Sequence, residues 1–329
     1  MIRLLHSSTL NFLIGAFGFM LGACGNPSFD DLENSELPGV PLADPSIWLE
    51  DTTYYAYGTS SSDGIKVYSS TNLYEWIEYQ TLALHKNDSY GKKEFWAPEI
   101  TYNTSLNKFL LYYSAEQHMC VARSDSPLGP FKQEIKCPMS DLWAVDHSVF
   151  QNDEGRVFMY YSTNFAHNYE IWACELTNEG TQIKDGSSIL CFEAKEIWES
   201  SIWPVVEGPY VIEYKGLYYM IYSGSGYQSH DYAIGYAVAE HPLGPWIKYS
   251  GNPILKMPKS NGHTLYGTGH GSIFTDRDGN LRLVFHAHYS KDQVHPRQMY
   301  IVSVHFTDES TPRMYFGNDI IRPICIGTK

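Results

Sequence analysis

An all-β chain closed into a five-bladed β-propeller, with four antiparallel strands per blade, is the fold this sequence predicts, and three observations predict it. A strand-opening pattern recurs five times, as Asp44-Pro-Ser-Ile, Ala97-Pro-Glu-Ile, Asp146-His-Ser-Val, Glu207-Gly-Pro-Tyr and His270-Gly-Ser-Ile. These starts lie 49 to 63 residues apart, a blade-sized spacing that fills the chain from residue 42 to its end. The 26 Tyr, 15 Phe and 8 Trp fall in short clusters such as Tyr54-Tyr55, Tyr112-Tyr113, Tyr160-Tyr161 and Tyr218-Tyr219, which suits strands rather than helices. Third, a turn recurs after the third strand of a unit, as Pro127-Leu-Gly-Pro-Phe and Pro242-Leu-Gly-Pro-Trp. Radial closure of such units leaves no long unpaired sheet edge.

Taken in order, residues 1–23 read as a signal peptide: Arg3, an apolar run from Leu10 to Leu21, then Leu21-Gly22-Ala23-Cys24. These last four residues resemble the lipobox of bacterial lipoproteins. That resemblance implies cleavage before Cys24, a lipid on its thiol, and an exported protein anchored to a membrane, periplasmic or at the cell surface. Residues 24–41, rich in Asp, Glu, Asn, Ser and Pro, read as a tether whose end closes the ring against the last blade. Residues 42–329 form one propeller domain. Within each unit a first strand and a polar turn lead to an aromatic second strand, for example Lys108-Phe-Leu-Leu-Tyr-Tyr-Ser and Gly216-Leu-Tyr-Tyr-Met-Ile-Tyr-Ser. Cys120 and Cys137 bracket one hairpin and Cys174 and Cys191 another at the same spacing, so each pair suits either a disulfide staple or two buried thiols; Cys325 is left over.

A formal net charge of −14 argues against a nucleic-acid partner, because phosphate recognition needs a basic face. The first strand of each propeller blade lines the central channel, so equivalent repeat positions form a ring around the axis. That ring is expected to hold Asp44, Ala97, Asp146, Glu207 and His270. Gathering three carboxylates costs several kcal/mol unless they are paired or solvated, so the cluster needs a chemical reason. A solvated channel mouth holding a structural cation is the bland one. The sharper one is glycoside hydrolysis, in which one carboxyl protonates the leaving oxygen while another activates water or attacks the sugar. Asp44 is two blades from Glu207, which leaves room for a sugar and a water. Asp44 is therefore expected as general base and Glu207 as general acid. Asp146, on the neighbouring blade, is expected to raise the Glu207 pKa by like-charge repulsion and to orient it.

The set Ala43-Asp44-Pro45-Ser46-Ile47, Trp96-Ala97-Pro98-Glu99-Ile100, Val145-Asp146-His147-Ser148 and Val206-Glu207-Gly208-Pro209-Tyr210, in this order and spacing, resembles glycoside hydrolase family 43. The resemblance runs from about Leu42 to the end. It implies the five-bladed fold, inversion at the anomeric carbon, the same three carboxylate roles, and activity on arabinose- or xylose-containing plant polysaccharides and oligosaccharides. An exo-acting α-L-arabinofuranosidase is the leading expectation, with β-xylosidase and endo-arabinanase beside it. No cofactor is required for the chemistry. The resemblance also implies an axial histidine, here His270, near a structural calcium or water cluster, and a substrate-contacting arginine, here Arg297. Trp96 is a candidate platform under a sugar face. Family members that cleave galactose linkages without the base aspartate differ from this chain, which keeps Asp44. Two further readings are a retaining fructosidase-type propeller, whose longer Asn-Asp-Pro-Asn motif is absent around Asp44, and a surface glycan-binding propeller that has lost catalysis.

Overall fold

The computed structural model describes residues 37–59, 61–165 and 168–329. Residues 1–23, expected as a signal peptide, and Cys24 lie outside these residues. Among them there is no α-helix, only two short 3₁₀ turns at Lys86–Asp88 and Ile197–Glu199. The five predicted blades are present and follow one another around the axis. Their innermost strands are Ala43–Glu50, Trp96–Asn103, Ala144–Gln151, Val206–Tyr214 and Gly269–Thr275. Each pairs antiparallel with the next strand in sequence, and the sheets grow outward in chain order. In blade 2 the fourth position is held by Lys132, which bridges Arg123 of the third strand.

The Tyr-Tyr clusters are explained by the period of two along a strand, which sends neighbours to opposite faces. Tyr113 packs with blade 1 residues Tyr57, Ile65 and Val67. Tyr112 packs the other way, with Met159 and Tyr161 of blade 3. Five such clusters, one per blade interface, close the ring. Four buried tyrosines of the second strands satisfy their hydroxyls by reaching the next blade's outer turn. The Tyr112 hydroxyl donates to the Gly180 carbonyl at 2.8 Å, Tyr160 to Pro242 at 3.0 Å and Tyr219 to Pro312 at 2.7 Å, and Tyr57 reaches Pro127 in the same way.

Between blades 5 and 1 the closure differs. The C-terminal strand Ile324–Thr328 joins blade 1 by parallel pairing with Glu75–Glu78. The Val40 carbonyl accepts the Met299 N–H of blade 5 at 3.0 Å, and Cys325 N–H donates to the Pro38 carbonyl at 2.9 Å. Residues 38–40 therefore lie between the last blade and the C-terminal strand. The five cysteines among the described residues are all thiols, with Cys120 and Cys174 buried in third strands and Cys137 exposed. Neither hairpin is stapled.

Candidate active site

Each innermost strand carries the same irregularity where it meets the axis. Two of its residues oppose one on the second strand, between Ala43 and Ser46, Trp96 and Glu99, Val145 and Ser148, Glu207 and Tyr210, and Gly269 and Ser272. The first bulged residue has positive φ in every blade: Asp44 at 48°, Ala97 at 43°, Asp146 at 57°, Gly208 at 58° and His270 at 41°. The ring position of blade 4 is thus Gly208 and not Glu207, one residue away from the sequence alignment. Glu207 stands instead at the place taken by Ala43, Trp96, Val145 and Gly269 in the other blades. Non-glycine residues hold the same left-handed φ in the other four blades, so what favours glycine at 208 is space: a Cβ there would lie 3.0 Å from the His270 ring.

The ring is tied together blade to blade. The backbone N–H of Ala97 donates to Thr59 Oγ1 (2.9 Å), that of Asp146 to Ser114 Oγ (3.1 Å), that of His270 to Ser223 Oγ (2.7 Å) and that of Asp44 to His286 Nδ1 (3.1 Å). All four acceptors end the second strand of the preceding blade. The fifth, Ser162, leaves its buried hydroxyl without a partner among the described residues, and the Gly208 N–H serves the Asp146 carboxylate instead. The one broken link in the ring supplies a hydrogen bond to a carboxylate.

Asp44 is buried and surrounded by nitrogen. Arg297 Nη1 donates to its Oδ1 at 2.8 Å and Nη2 to Oδ2 at 3.4 Å, while His270 Nδ1 lies 3.4 Å and His286 Nδ1 3.3 Å from Oδ1. Burial pushes its pKa up, but Arg297, then the two imidazoles and a Thr59 hydroxyl, outweigh burial and hold it well below the carboxylate range. Burial, and then the Arg297 charge, keep His286 neutral at pH 7.

Glu207 has a different surrounding. Tyr232 donates its hydroxyl to Oε1 at 2.7 Å, and the Tyr232 ring stacks on His286 with centroids 5.7 Å apart. Tyr232 fits because residue 269 is glycine, whose Cβ would fall 2.0 Å from the tyrosine ring. Burial raises the Glu207 pKa to about 7; the Asp44 charge adds to the rise, and the Tyr232 hydroxyl and Arg297 oppose it. The first cause is therefore burial, where the sequence had suggested the charge of Asp146. Asp146 is itself pushed well above the usual range, by burial, then by Glu207 and Asp44. Asp146 and Glu207 thus compete for protons at neutral pH while Asp44 stays ionised.

His270 and Arg297, both named from the sequence, come together on Asp44. Trp96 occupies in blade 2 the strand position that Glu207 occupies in blade 4. Tyr232 and His286 were not foreseen. Among the described residues no group of three or more His, Cys, Asp or Glu side chains is arranged to hold a metal ion by itself.

Residues 39–312 match the profile of glycosyl hydrolases family 43. The chain belongs to this family. It is accordingly a glycosidase. An endo-1,4-β-xylanase of Bacteroides thetaiotaomicron has a similar structure, 38% identical with a TM-score of 0.83, covering 88% of this chain and 99% of that one. A β-D-galactofuranosidase of Aspergillus niger is 26% identical over 315 residues, 89% of this chain and 82% of the relative. An extracellular exo-α-(1→5)-L-arabinofuranosidase of Streptomyces avermitilis is 25% identical over 274 residues, 76% of this chain but 55% of the relative, so the chain spans about half the length of that protein.

Proposed function

We propose that this family 43 chain is an inverting, exo-acting α-L-arabinofuranosidase that removes terminal arabinose from plant cell-wall polysaccharides. The observation that carries the mechanism is the opposite electrostatic treatment of two carboxyls, Asp44 held ionised by Arg297 and Glu207 held protonated to about pH 7. Glu207 gives its proton to the glycosidic oxygen as the exocyclic C–O bond breaks. Water bonds to the anomeric carbon from the opposite face and gives its proton to Asp44. A carboxylate as weakly basic as Asp44 suits this step, because the water becomes acidic only as it bonds to the oxocarbenium-like carbon. Asp146 orients Glu207 and shares its proton, and Arg297 positions Asp44 and faces the sugar.

The choice of sugar is supported by the relatives. α-L-Arabinofuranose and β-D-galactofuranose share ring size and ring stereochemistry and differ in the substituent on C4, so a furanoside site accounts for two of the three. The xylanase neighbour favours a xylosidase as the second reading. Activity on nitrophenyl α-L-arabinofuranoside, nitrophenyl β-D-xyloside, nitrophenyl β-D-galactofuranoside and linear arabinan separates these, and the anomer first released, read by NMR, checks inversion. Cleavage of the xyloside alone replaces the leading reading by the second; cleavage of none removes both. Export with a lipid on Cys24 belongs to the same proposal, and Cys24→Ala should release the enzyme from the membrane fraction.

A further inference from the structure

Among the described residues, two tryptophans are strongly exposed, Trp143 at 64% and Trp203 at 42%. A lone exposed aromatic calls for no explanation. These two are placed alike: Trp143 lies three residues before Asp146 and Trp203 four residues before Glu207, in the loops that enter the innermost strands of adjacent blades 3 and 4. Asp44 and Arg297 belong to blades 1 and 5, across the axis. The loops that carry the two indoles therefore lead into the strands of Asp146 and Glu207, on the proton-donor side of the axis.

Both are held from beneath. Trp143 bridges His118, and the following Ala144 N–H donates to the Gln117 carbonyl at 3.0 Å. The loop of Trp203 is rooted by Glu199, fully buried, which accepts from Lys248, the Tyr222 hydroxyl and the backbone N–H groups of Lys195 and Glu196. Farther along, Ser201 Oγ bonds Ser229 Oγ at 2.8 Å. The Trp203 indole lies over Gly226, where a Cβ would come within 3.1 Å of the ring. Gly226 adjoins Tyr227, whose ring carries the Arg297 guanidinium at 4.6 Å. Trp203 is thus continuous with the wall of the catalytic mouth, rigid below and open above.

We propose that Trp143 and Trp203 form a platform for the leaving-group side of the substrate, on which a neutral pentose chain lies with sugar faces against the indoles. The inference rests on Glu207 as the acid, because the leaving oxygen and the chain attached to it must sit beside the proton donor. Flat apolar rings, with no basic side chain of their own, suit the C–H faces of uncharged sugars. An ordered platform also loses little conformational entropy on binding.

The test compares kcat/KM of wild type, Trp203→Ala, Trp203→Phe and Trp143→Ala on a nitrophenyl glycoside, which has no leaving-group chain, and on arabinoxylan oligosaccharides. The alanine variants should lose roughly 5- to 20-fold on the oligosaccharides, through KM, and several-fold less on the aryl glycoside, with phenylalanine restoring most of the oligosaccharide loss. Equal losses on both substrates, or no loss on either, overturn the proposal. A separate arm titrates xylohexaose and arabinohexaose into Glu207→Gln and follows binding by calorimetry. If no glycoside is cleaved but a hexaose binds and Trp203→Ala weakens that binding at least about fivefold, the functional reading has failed and the platform stands. If neither hexaose binds, the platform falls. Dimerisation at micromolar concentration that both alanine variants abolish assigns this surface to a second copy and also overturns it.

Discussion

Blades 1 and 4 each present a carboxyl to the same channel, Asp44 buried and Glu207 half-buried, and the two differ most in their partners. Asp44 sits on the bulge itself, with Arg297 and two imidazoles around it. Glu207 sits one residue before the bulge and has a tyrosine hydroxyl and a second carboxyl for neighbours. Burial alone raises both pKa values, so partners decide the outcome: cationic and N–H-rich surroundings win at Asp44, and nothing of comparable strength acts at Glu207. One fold thereby holds a base and an acid ready at the same pH.

Removing either carboxyl breaks the comparison most severely. Asp44→Asn and Glu207→Gln should each lower kcat on a polysaccharide by about 10²- to 10⁴-fold. The two should then diverge on a nitrophenyl glycoside, whose leaving group needs little protonation. Glu207→Gln should recover a large part of its loss there and Asp44→Asn should not. Recovery in Asp44→Asn alone would mean that the acid and base have been assigned the wrong way.

Arg297→Met tests the cause of the Asp44 shift. Without the guanidinium, burial is opposed only by the imidazoles and the Thr59 hydroxyl, so the acid limb of the kcat/KM profile should move upward by about one to three pH units, toward neutrality. The alkaline limb should move less, since Arg297 is a lesser influence on Glu207. Tyr232→Phe does the converse and more gently. Loss of the hydroxyl that stabilises the Glu207 carboxylate should raise the alkaline limb from near 7 by about one pH unit and leave the acid limb in place. An alkaline limb that falls in Tyr232→Phe would contradict the hydrogen bond's direction.

How the sequence relates to this site is visible in particular residues. The propeller was legible because each blade repeats a strand, a turn and an aromatic strand, and the tyrosine pairs sit at alternating faces that every blade must cover. Asp44, Asp146, His270 and Arg297 were legible for the same reason or by family likeness. The blade 4 register was misplaced by one residue because carboxylates were aligned with one another. Aligning Pro209 with Pro45 and Pro98 puts Gly208 in the ring, and the backbone, not the charge, sets that column. Tyr232 immediately precedes the third strand of blade 4, as Arg297 does in blade 5, but its hydrogen bond to Glu207 depends on side-chain packing that a linear repeat does not encode. A signal for His286 did exist, as the one imidazole where the other second strands end in Ser or Thr. The exposed tryptophans carry no repeat signature, since a loop surface is constrained by its ligand and not by the fold.

Another buried carboxyl sharpens the comparison furthest while disturbing turnover least. Glu99 lies two residues beyond Ala97 on the innermost strand of blade 2, beside a small axial cavity of about 20 Å³ shared with Ser46, Ser148, Tyr210 and Ser272. Its Oε1 accepts the Val149 N–H at 3.3 Å, and among the described residues it makes no salt bridge. Burial raises its pKa to about 8, with only that N–H opposing. A group whose pKa rises on folding holds its proton in the native state while the unfolded chain has lost it. Its contribution is therefore complete below about pH 4.5 and declines as pH climbs toward 8. Glu99→Gln keeps the shape and the acceptor but cannot ionise. The variant should match wild type near pH 4.5 and then gain stability over it by up to about 1.4 kcal/mol per pH unit, read as diverging Tm values across pH 5 to 8. Asp146 and Glu207 add a decline of the same sign, but it is common to both proteins and cancels in the difference. Parallel Tm curves would show that Glu99 is already ionised in the folded protein, and that burial without a partner does not suffice to hold a carboxyl neutral on this axis.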